Sequence, residues 1–277
     1  LVSDFSWISS ASCITMTGAT PVFCDIDLDS YHISFDEIKK RTTSKTKALI
    51  YTHLFGNMTN TTHIEKYCHD NNIIFIEDAA QSLGSSLNGV KAGSIGDVSS
   101  YSFNNNKVIA GISGGGMFMT YDKDKAEYVK KLRRHGKGND FELLGYNSKM
   151  FHMNAAFINF RLDKMYQWQS RRQDIASEYE YVLNDLPVQI QKNDNGLDHN
   201  YHKYTVRFES KEVRDRVKDK LKAQVHYDKP ISGNSMYNGP IHTTSLLVSN
   251  SILSLPIHPW LTSEDINKIL IQIEMLI

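Results

Sequence analysis

Along residues 1 to about 120, short apolar runs of strand length alternate with amphipathic stretches of helical period, and turn-forming residues separate them. "KALIYTHL" (47 to 54) and "IIFIEDAAQ" (73 to 81) are compact runs in which apolar residues follow one another, as buried strands require. Between them "TNTTHIEKYCHDNN" predicts a helix bounded by starting and stopping residues. Strand, helix and strand in succession form a βαβ unit, so a parallel sheet covered by helices is expected. "VSSYSF" (98 to 103) alternates as a further strand, and "SFDEIKKRT" predicts a helix with Ser34 as N-cap and Glu37 completing a capping box.

Beyond residue 120 the periods change. "DKDKAEYVKKLRRHGKG" predicts a helix with an acidic start, a basic finish and Gly136 after it, as the helix dipole prefers. Residues 151 to 183 carry a long helical pattern with no Pro or Gly, as one helix or two. After the polar connector "NDLPVQIQKNDNGLDHN", "YHKYTVRF" reads as a strand, "SKEVRDRVKDKLKA" as a helix and "QVHYDKPI" as another strand. The finish, "SILSLPIHPWLTSEDINKILIQIEMLI", reads as a Pro-punctuated loop, then a terminal helix capped by Thr262 or Ser263. The expected division is a large α/β domain over residues 1–150, a connecting helical segment over 151–184 and a smaller C-terminal α/β domain over 185–277.

Composition narrows the class of partner. The 277 residues carry 31 Lys and Arg against 31 Asp and Glu, so no net field draws the chain to nucleic acid or to an anionic membrane. A small molecule or another protein is the expected partner. The longest apolar runs, such as 73 to 76, fall far short of the roughly 18 residues a membrane span needs. Cys13, Cys24 and Cys68 lie far apart with no secretory leader before them, which predicts reduced thiols and a cytoplasmic setting. The chain opens on Leu1 in "LVSDFSWISSASCITMTGATPVF", which reads as a domain already under way, and sequence upstream is expected to be missing.

In parallel sheets ligands sit beyond the carboxyl ends of the strands. "FIEDAAQ" puts Asp78 and Gln81 at one such end, and "YSFNNNKVIAGISGGGMF" (101 to 118) puts Lys107 at another. A surface lysine is ordinarily a solvated cation. This one follows a strand end and three amide side chains, and precedes Gly114, Gly115 and Gly116, which permit close backbone approach. A lysine held in a crevice can lose its proton and attack a carbonyl to form a Schiff base. The carbonyl enzymes most often use in this way is that of pyridoxal phosphate, whose pyridine nitrogen needs a carboxylate opposite it. Asp78 is the candidate for that carboxylate; its plainer reading is a turn aspartate at a strand end.

Seven segments in order, "GATPVFCDIDLDSYHIS", "IEDAAQSLGS", "GSIGDVSSYSFNNNK", "SGGGMF", "RRHG", "GYNSKM" and "ILSLPIHPWL", resemble the pyridoxal-phosphate-dependent sugar-nucleotide aminotransferases of the DegT/StrS type. The resemblance covers essentially the whole chain. It implies a three-layer fold-type I large domain with a mixed, mostly parallel sheet, plus a smaller C-terminal α/β domain. It further implies that Lys107 bonds the cofactor aldehyde, that Asp78 faces the pyridine nitrogen, that Gln81 lies near the ring hydroxyl and that Ser102 meets the phosphate. Trp7 matches the aromatic that stacks on the cofactor, and Asn147 matches an asparagine that reaches the phosphate in the neighbouring subunit, which implies a homodimer. The implied reaction moves an amino group from an amino-acid donor, glutamate, onto a nucleotide-diphosphate-linked keto sugar, in surface-polysaccharide or amino-sugar biosynthesis.

Two departures bear on that expectation. Relatives carry a Gly-Thr-Ser/Ala phosphate-binding segment at a helix start upstream of the aromatic, and this chain begins after it. Asn154 stands where a Gln is commoner. The rival readings are accordingly a truncated, inactive member of the family and a sugar dehydratase, although dehydratase relatives replace the lysine with His. Among other polar residues, His63, Cys68 and His69 do not share one helix face, and "KKLRRHGK" completes a helix dipole or binds nucleotide phosphates. His53 and His258 either line the substrate site or serve as structural histidines.

Overall fold

In the computed structural model, which describes residues 1 to 277, the first half of the chain runs β1 (Val2–Ser3), α1 (Ser9–Met16), β2 (Phe23–Cys24), α2 (Phe35–Arg41), β3 (Ala48–Thr52), α3 (Thr62–Asp70) and β4 (Ile74–Asp78). It continues through β5 (Ser86–Leu87), β6 (Val90–Lys91), β7 (Val98–Ser102), β8 (Gly116–Met119) and α4 (Lys123–Leu132). The second half runs α5 (His152–Leu162), α6 (Met165–Leu183), β9 (Gln189–Ile190), β10 (Leu197–Asp198), β11 (Tyr204–Arg207), α7 (Lys211–Leu221), α8 (Thr243–Ser251), β12 (Ile252–Leu255) and α9 (Ser263–Glu274).

The main sheet has the order β2-β1-β3-β4-β7-β8. All its neighbours are parallel except the edge strand β8, which returns antiparallel to β7. This is the expected α/β architecture with a mixed, mostly parallel sheet. One face of the sheet buries Leu49, Tyr51 and Phe75 against Ile38 of α2 and Ile64 and Cys68 of α3; the other buries Val2 and Ile50 against Ala11 and Ile231. The apolar runs of β3 and β4 are continuous because helices and loops cover both faces.

A second sheet, β12-β11-β9, is antiparallel and belongs to the largest core. Ile175, Tyr179 and Leu183 of α6 pack there with Tyr204 and Val206, Leu253 and Leu255, and Ile266, Leu270 and Ile273 of α9. The long helical pattern resolves into two helices, since the turn at Asp163 and Lys164 lets Met165 and Trp168 settle beside Phe103, Ile109 and Ile158.

Three local expectations change. Residues 224 to 231 form no strand: only Gln224 bridges to Ser254, after which Tyr227 turns in among Phe5 and Phe55, and Pro230 has no N–H for a ladder. Residues 252 to 255 are β12 rather than loop, fully buried and paired with β11 up to the residue before Pro256. The capping box on α2 is half made. Ser34 Oγ accepts from Glu37 N–H at 3.2 Å, but the Glu37 carboxylate accepts from Lys40 at 2.6 Å and Arg41 at 3.3 Å. The complete box is that of Thr262 and Asp265 on α9.

At the carboxyl end of β4 a fully buried carboxylate joins three segments. Glu77 Oε1 accepts from His53 Nε2 at 2.8 Å and Gly93 N–H at 2.9 Å, and its Oε2 accepts from Ile95 and Gly96 N–H at 2.6 and 2.7 Å. Burial by itself would raise the Glu77 carboxyl, but the His53 bond and the backbone donors outweigh it and hold the group below its ordinary value of 4.5. Its stabilising contribution is therefore complete above that value and lost as pH falls through the lowered one. Glu77→Ala is expected to cost about 3–5 kcal/mol, read as a fall in the urea unfolding midpoint. Glu77→Gln, which keeps an acceptor, should lose less, and an unchanged midpoint for Glu77→Ala would refute the assignment.

Candidate active site

Strand alternation turns Asp78 to the opposite side of β4 from Glu77. There its Oδ2 accepts from Ser10 Oγ at 2.7 Å and Thr52 Oγ1 at 3.4 Å, and its Oδ1 accepts from Ala80 N–H at 3.2 Å. The donors come from α1, the end of β3 and the turn after β4, so three elements fix the carboxylate. Gln81 is also held at both ends: its Oε1 accepts from Phe55 N–H at 2.9 Å and its Nε2 donates to Tyr227 Oη at 3.1 Å.

Lys107 rides on a tight turn beyond β7. Its N–H donates to Asn104 O at 2.9 Å, and Asn104 Oδ1 accepts from Asn105 N–H at 2.6 Å, so the first asparagine of the trio shapes the loop. Val108, Ile109 and Ala110 are buried behind the turn and anchor it. The glycines then reverse the chain, with φ of +75° at Gly114 and +133° at Gly115, and Phe103 N–H donates to Gly115 O at 2.9 Å. A Cβ on Gly115 would lie 2.9 Å from Met150 Cε. Asn154, which sequence left without a role, braces this reversal: its Nδ2 donates to Gly114 O at 2.6 Å and its Oδ1 accepts from Ser113 N–H at 3.4 Å.

Gln81, Ser102 and Lys107 line one narrow cavity together with Ala80, Asn200 and His202. Burial lowers the Lys107 amine to about 8; the negative charge of Asp78 pulls it up, and Lys203 pushes it further down. The neighbouring imidazoles are neutral: His226 is lowered to about 4 by burial, Lys203 and Lys107, and His202 falls well below 6.5 from burial and the same two lysines. The site is thus an amine that gives up its proton near physiological pH, with a fixed carboxylate within electrostatic reach.

Of the four residues expected at the site, Gln81, Ser102 and Lys107 line one cavity, whereas Asp78 does not line it and acts on Lys107 through its charge. Trp7 stands at the rim, 57% exposed, its ring 6.1 Å from that of Tyr227. Asn147 is exposed on a hairpin bridged to Arg134 and does not line the Lys107 cavity. His53 is a structural histidine, buried against Glu77, and of the basic helix end Lys130 and Lys131 pair with Glu127 and Glu142. Sequence reasoning missed Asn200, His202, Lys203, His226 and Tyr227. They arrive from the C-terminal part of the chain, and only "YHKY" and "VHY", polar rings set among strand-like residues, hinted at them.

Relatives agree with this frame. The sequence profile of the DegT/DnrJ/EryC1/StrS aminotransferase family matches residues 1–274. A pleiotropic regulatory protein of Geobacillus stearothermophilus is 31% identical, over 96% of this chain and 74% of its own length. A UDP-N-acetyl-3-dehydro-alpha-D-glucosamine 3-aminotransferase of Acidithiobacillus ferrooxidans is 30% identical, over 97% of this chain and 75% of its own. The crystal structure of a DegT DnrJ EryC1 StrS aminotransferase from Brucella abortus superposes with a TM-score of 0.91 at 28% identity, covering 99% of this chain and 78% of that one. The architecture is that of the fold-type I aminotransferases.

The neutral amine yields a direct expectation. Labelling of Lys107 by an amine-reactive reagent, followed by peptide mass spectrometry, should rise with a midpoint near pH 8. A midpoint at the ordinary lysine value of 10.5 would contradict the assigned environment.

Proposed function

The chain belongs to the DegT/DnrJ/EryC1/StrS aminotransferase family, and on that premise we propose that it uses pyridoxal 5'-phosphate to transfer an amino group from glutamate to a nucleotide-linked keto sugar. The observation that carries the reading is the pairing of an amine lowered to about 8 with a carboxylate fixed by Ser10, Thr52 and Ala80. The residues present fit the cofactor: an amine for its aldehyde, a carboxylate for its pyridine nitrogen, the Ser102 hydroxyl for its phosphate and Trp7 for its ring face. When bound, the cofactor supplies an aldehyde that condenses with amines and a ring that takes up electrons released at the substrate carbon.

The chain's own groups do the rest. Lys107 Nζ, which exchanges its proton near pH 8, accepts the proton from the substrate carbon and later returns it, and a base whose pKa lies close to working pH suits both directions. Asp78, its orientation fixed by Ser10, Thr52 and Ala80, is the residue that would face the ring nitrogen. His202 and His226, held neutral by burial and the nearby lysines, leave Lys107 as the proton carrier. The nucleotide-sugar acceptor rests on the UDP-sugar substrate in the name of the Acidithiobacillus relative.

We also read the working unit as a homodimer. Phe141, Leu144, Tyr146 and Phe151 around Asn147 are 62–96% exposed, a larger apolar area than isolated surface residues account for. Pairing of two copies would cover it and carry Asn147 toward the second site. No helix is long and apolar enough to cross a membrane, which accords with a cytoplasmic setting.

Pyridoxal phosphate added to the protein should give a visible absorption band that borohydride removes while labelling Lys107. Lys107→Ala should lose the band, with turnover falling at least about a thousandfold and the unfolding midpoint kept. A folded protein that gives no band would overturn the proposal.

A further inference from the structure

The loop that carries Lys107 is closed at its base. Phe103 N–H donates to Gly115 O at 2.9 Å and Gly111 N–H donates to Phe103 O at 2.8 Å, so residues 103 to 115 leave β7 and return to β8 through one neck. These two bonds fix the neck. The tip, where Lys107 sits, is left to be set by what fills the loop.

The filling comes from α5. Asn154, only 3% exposed, lies in the first turn of that helix; its Nδ2 donates to Gly114 O at 2.6 Å and its Oδ1 accepts from Ser113 N–H at 3.4 Å. The fit dictates a residue on the outgoing half of the loop. A Cβ on Gly111 would lie 2.5 Å from Asn154 Oδ1 and 2.5 Å from Gly114 O, so that position needs a glycine. One turn further along the same face of α5, Ile158 packs in one buried cluster with Phe103 and Ile109. A single helix thus supports the loop twice, through an amide on its returning half and an aliphatic side chain on its buried run.

No packing shares the task on the returning half. A cavity of about 260 Å³ lies between residues 113 to 116 and residues 148 to 151, and Asn154 lines it. A Cβ on Gly114 would find only Asn104 Cα, at 3.9 Å, within 4 Å. Gly114 and Gly115 have no side chains to anchor them and, with φ of +75° and +133°, a backbone of wide freedom. Loss of the amide would therefore release the reversal while β7 and β8 stay paired.

We propose that Asn154 is a positioning residue: by bracing the loop from within, it sets how deeply the Lys107 amine sits in its cavity. Its bearing on catalysis rests on the transamination reading given above. Lys107 shares its cavity with Gln81, Asn200 and His202, and burial there is the main reason that the amine is lowered to about 8. A released loop lets the side chain reach water, so the amine climbs back toward 10.5, with Asp78 still raising it and Lys203 still lowering it.

The test reads the pH midpoint of Lys107 labelling, by peptide mass spectrometry and without cofactor, in the full chain and in Asn154→Ala, Asn154→Asp and Asn154→Gln. The alanine loses both bonds, the aspartate loses the donor to Gly114 O, and the glutamine keeps donor and acceptor. Asn154→Ala and Asn154→Asp should raise the midpoint by about one pH unit or more, about a tenfold loss of neutral amine at neutral pH. Asn154→Gln should stay near the original value. The urea unfolding midpoint is recorded alongside. A fall in stability with an unmoved labelling midpoint in folded Asn154→Ala would mark Asn154 as a support of the fold alone and overturn the proposal, as would equal shifts in all three variants. If Asn154→Ala does not fold, Asn154→Asp and Gly111→Ala, which drives a methyl onto the amide from the loop side, give the same readout; unmoved midpoints in both overturn it. The pyridoxal phosphate absorption band is read separately. A labelling shift in the variants with no band in the parent chain would uphold the positioning role and sink the proposed chemistry; a band with unmoved labelling would do the reverse.

Discussion

The geometry of the site depends on the buried Glu77 carboxylate. Four donors converge on it, one imidazole and three backbone N–H groups, from the end of β3 and from the loop that leads into β7. Without an acceptor there, three amides and a histidine would be buried with no partner in the middle of the sheet's carboxyl edge. The next residue is Asp78, whose backbone carbonyl receives the His53 N–H at 3.1 Å. Period-two alternation thus places a structural carboxylate and a functional one back to back. The first ties the end of β3 and the end of β4 to the loop that starts β7, and the second lies on the opposite side of β4.

The other half of the site is brought by distant sequence. Asn200 Nδ2 donates to the carbonyls of Gln81 and Leu83 at 3.0 and 2.9 Å, stitching the segment before β11 to the turn after β4. His202 and Lys203 follow within that segment, and His226 and Tyr227 come from the stretch that failed to become a strand. Their arrival excludes water from Lys107 and adds a like charge near it. Both effects lower the lysine, and the charge of Asp78 opposes them.

Legibility followed the range of the interactions involved. β3, α3 and β4 were readable because each carries its own period and its own stops, and the places of Asp78, Gln81 and Lys107 were readable because each lies at or just beyond a strand end, whereas Ser102 was singled out only by the family resemblance. The cap of α9 was readable as Thr262 or Ser263, although its partner Asp265 was not, whereas the capping box on α2 was only half right because Lys40 and Arg41 compete for Glu37. Residues 224 to 231 look like a strand in composition, but tertiary contacts from Tyr227 to Phe5 and Phe55 decide their path. Asn154 was invisible for the same reason: its partner is a glycine carbonyl brought close by the reversal after Lys107.

The placement of Asp78 relative to Lys107 is a compromise that the fold enforces. A direct buried ion pair between them would favour the ammonium form and remove the neutral amine that chemistry at a carbonyl needs. A lysine with no carboxylate nearby would be lowered further by burial and Lys203. Hydrogen bonds from Ser10 and Thr52 hold the carboxylate where its charge is felt without its being an ion-pair partner, and the amine remains near 8. Those two hydroxyls belong to α1 and the end of β3. The packing that seats α1 on the sheet, Ala11 against Val2 and Ile50, therefore acts on the lysine through the aspartate, a route from core packing to proton affinity with only Ser10 and Asp78 between.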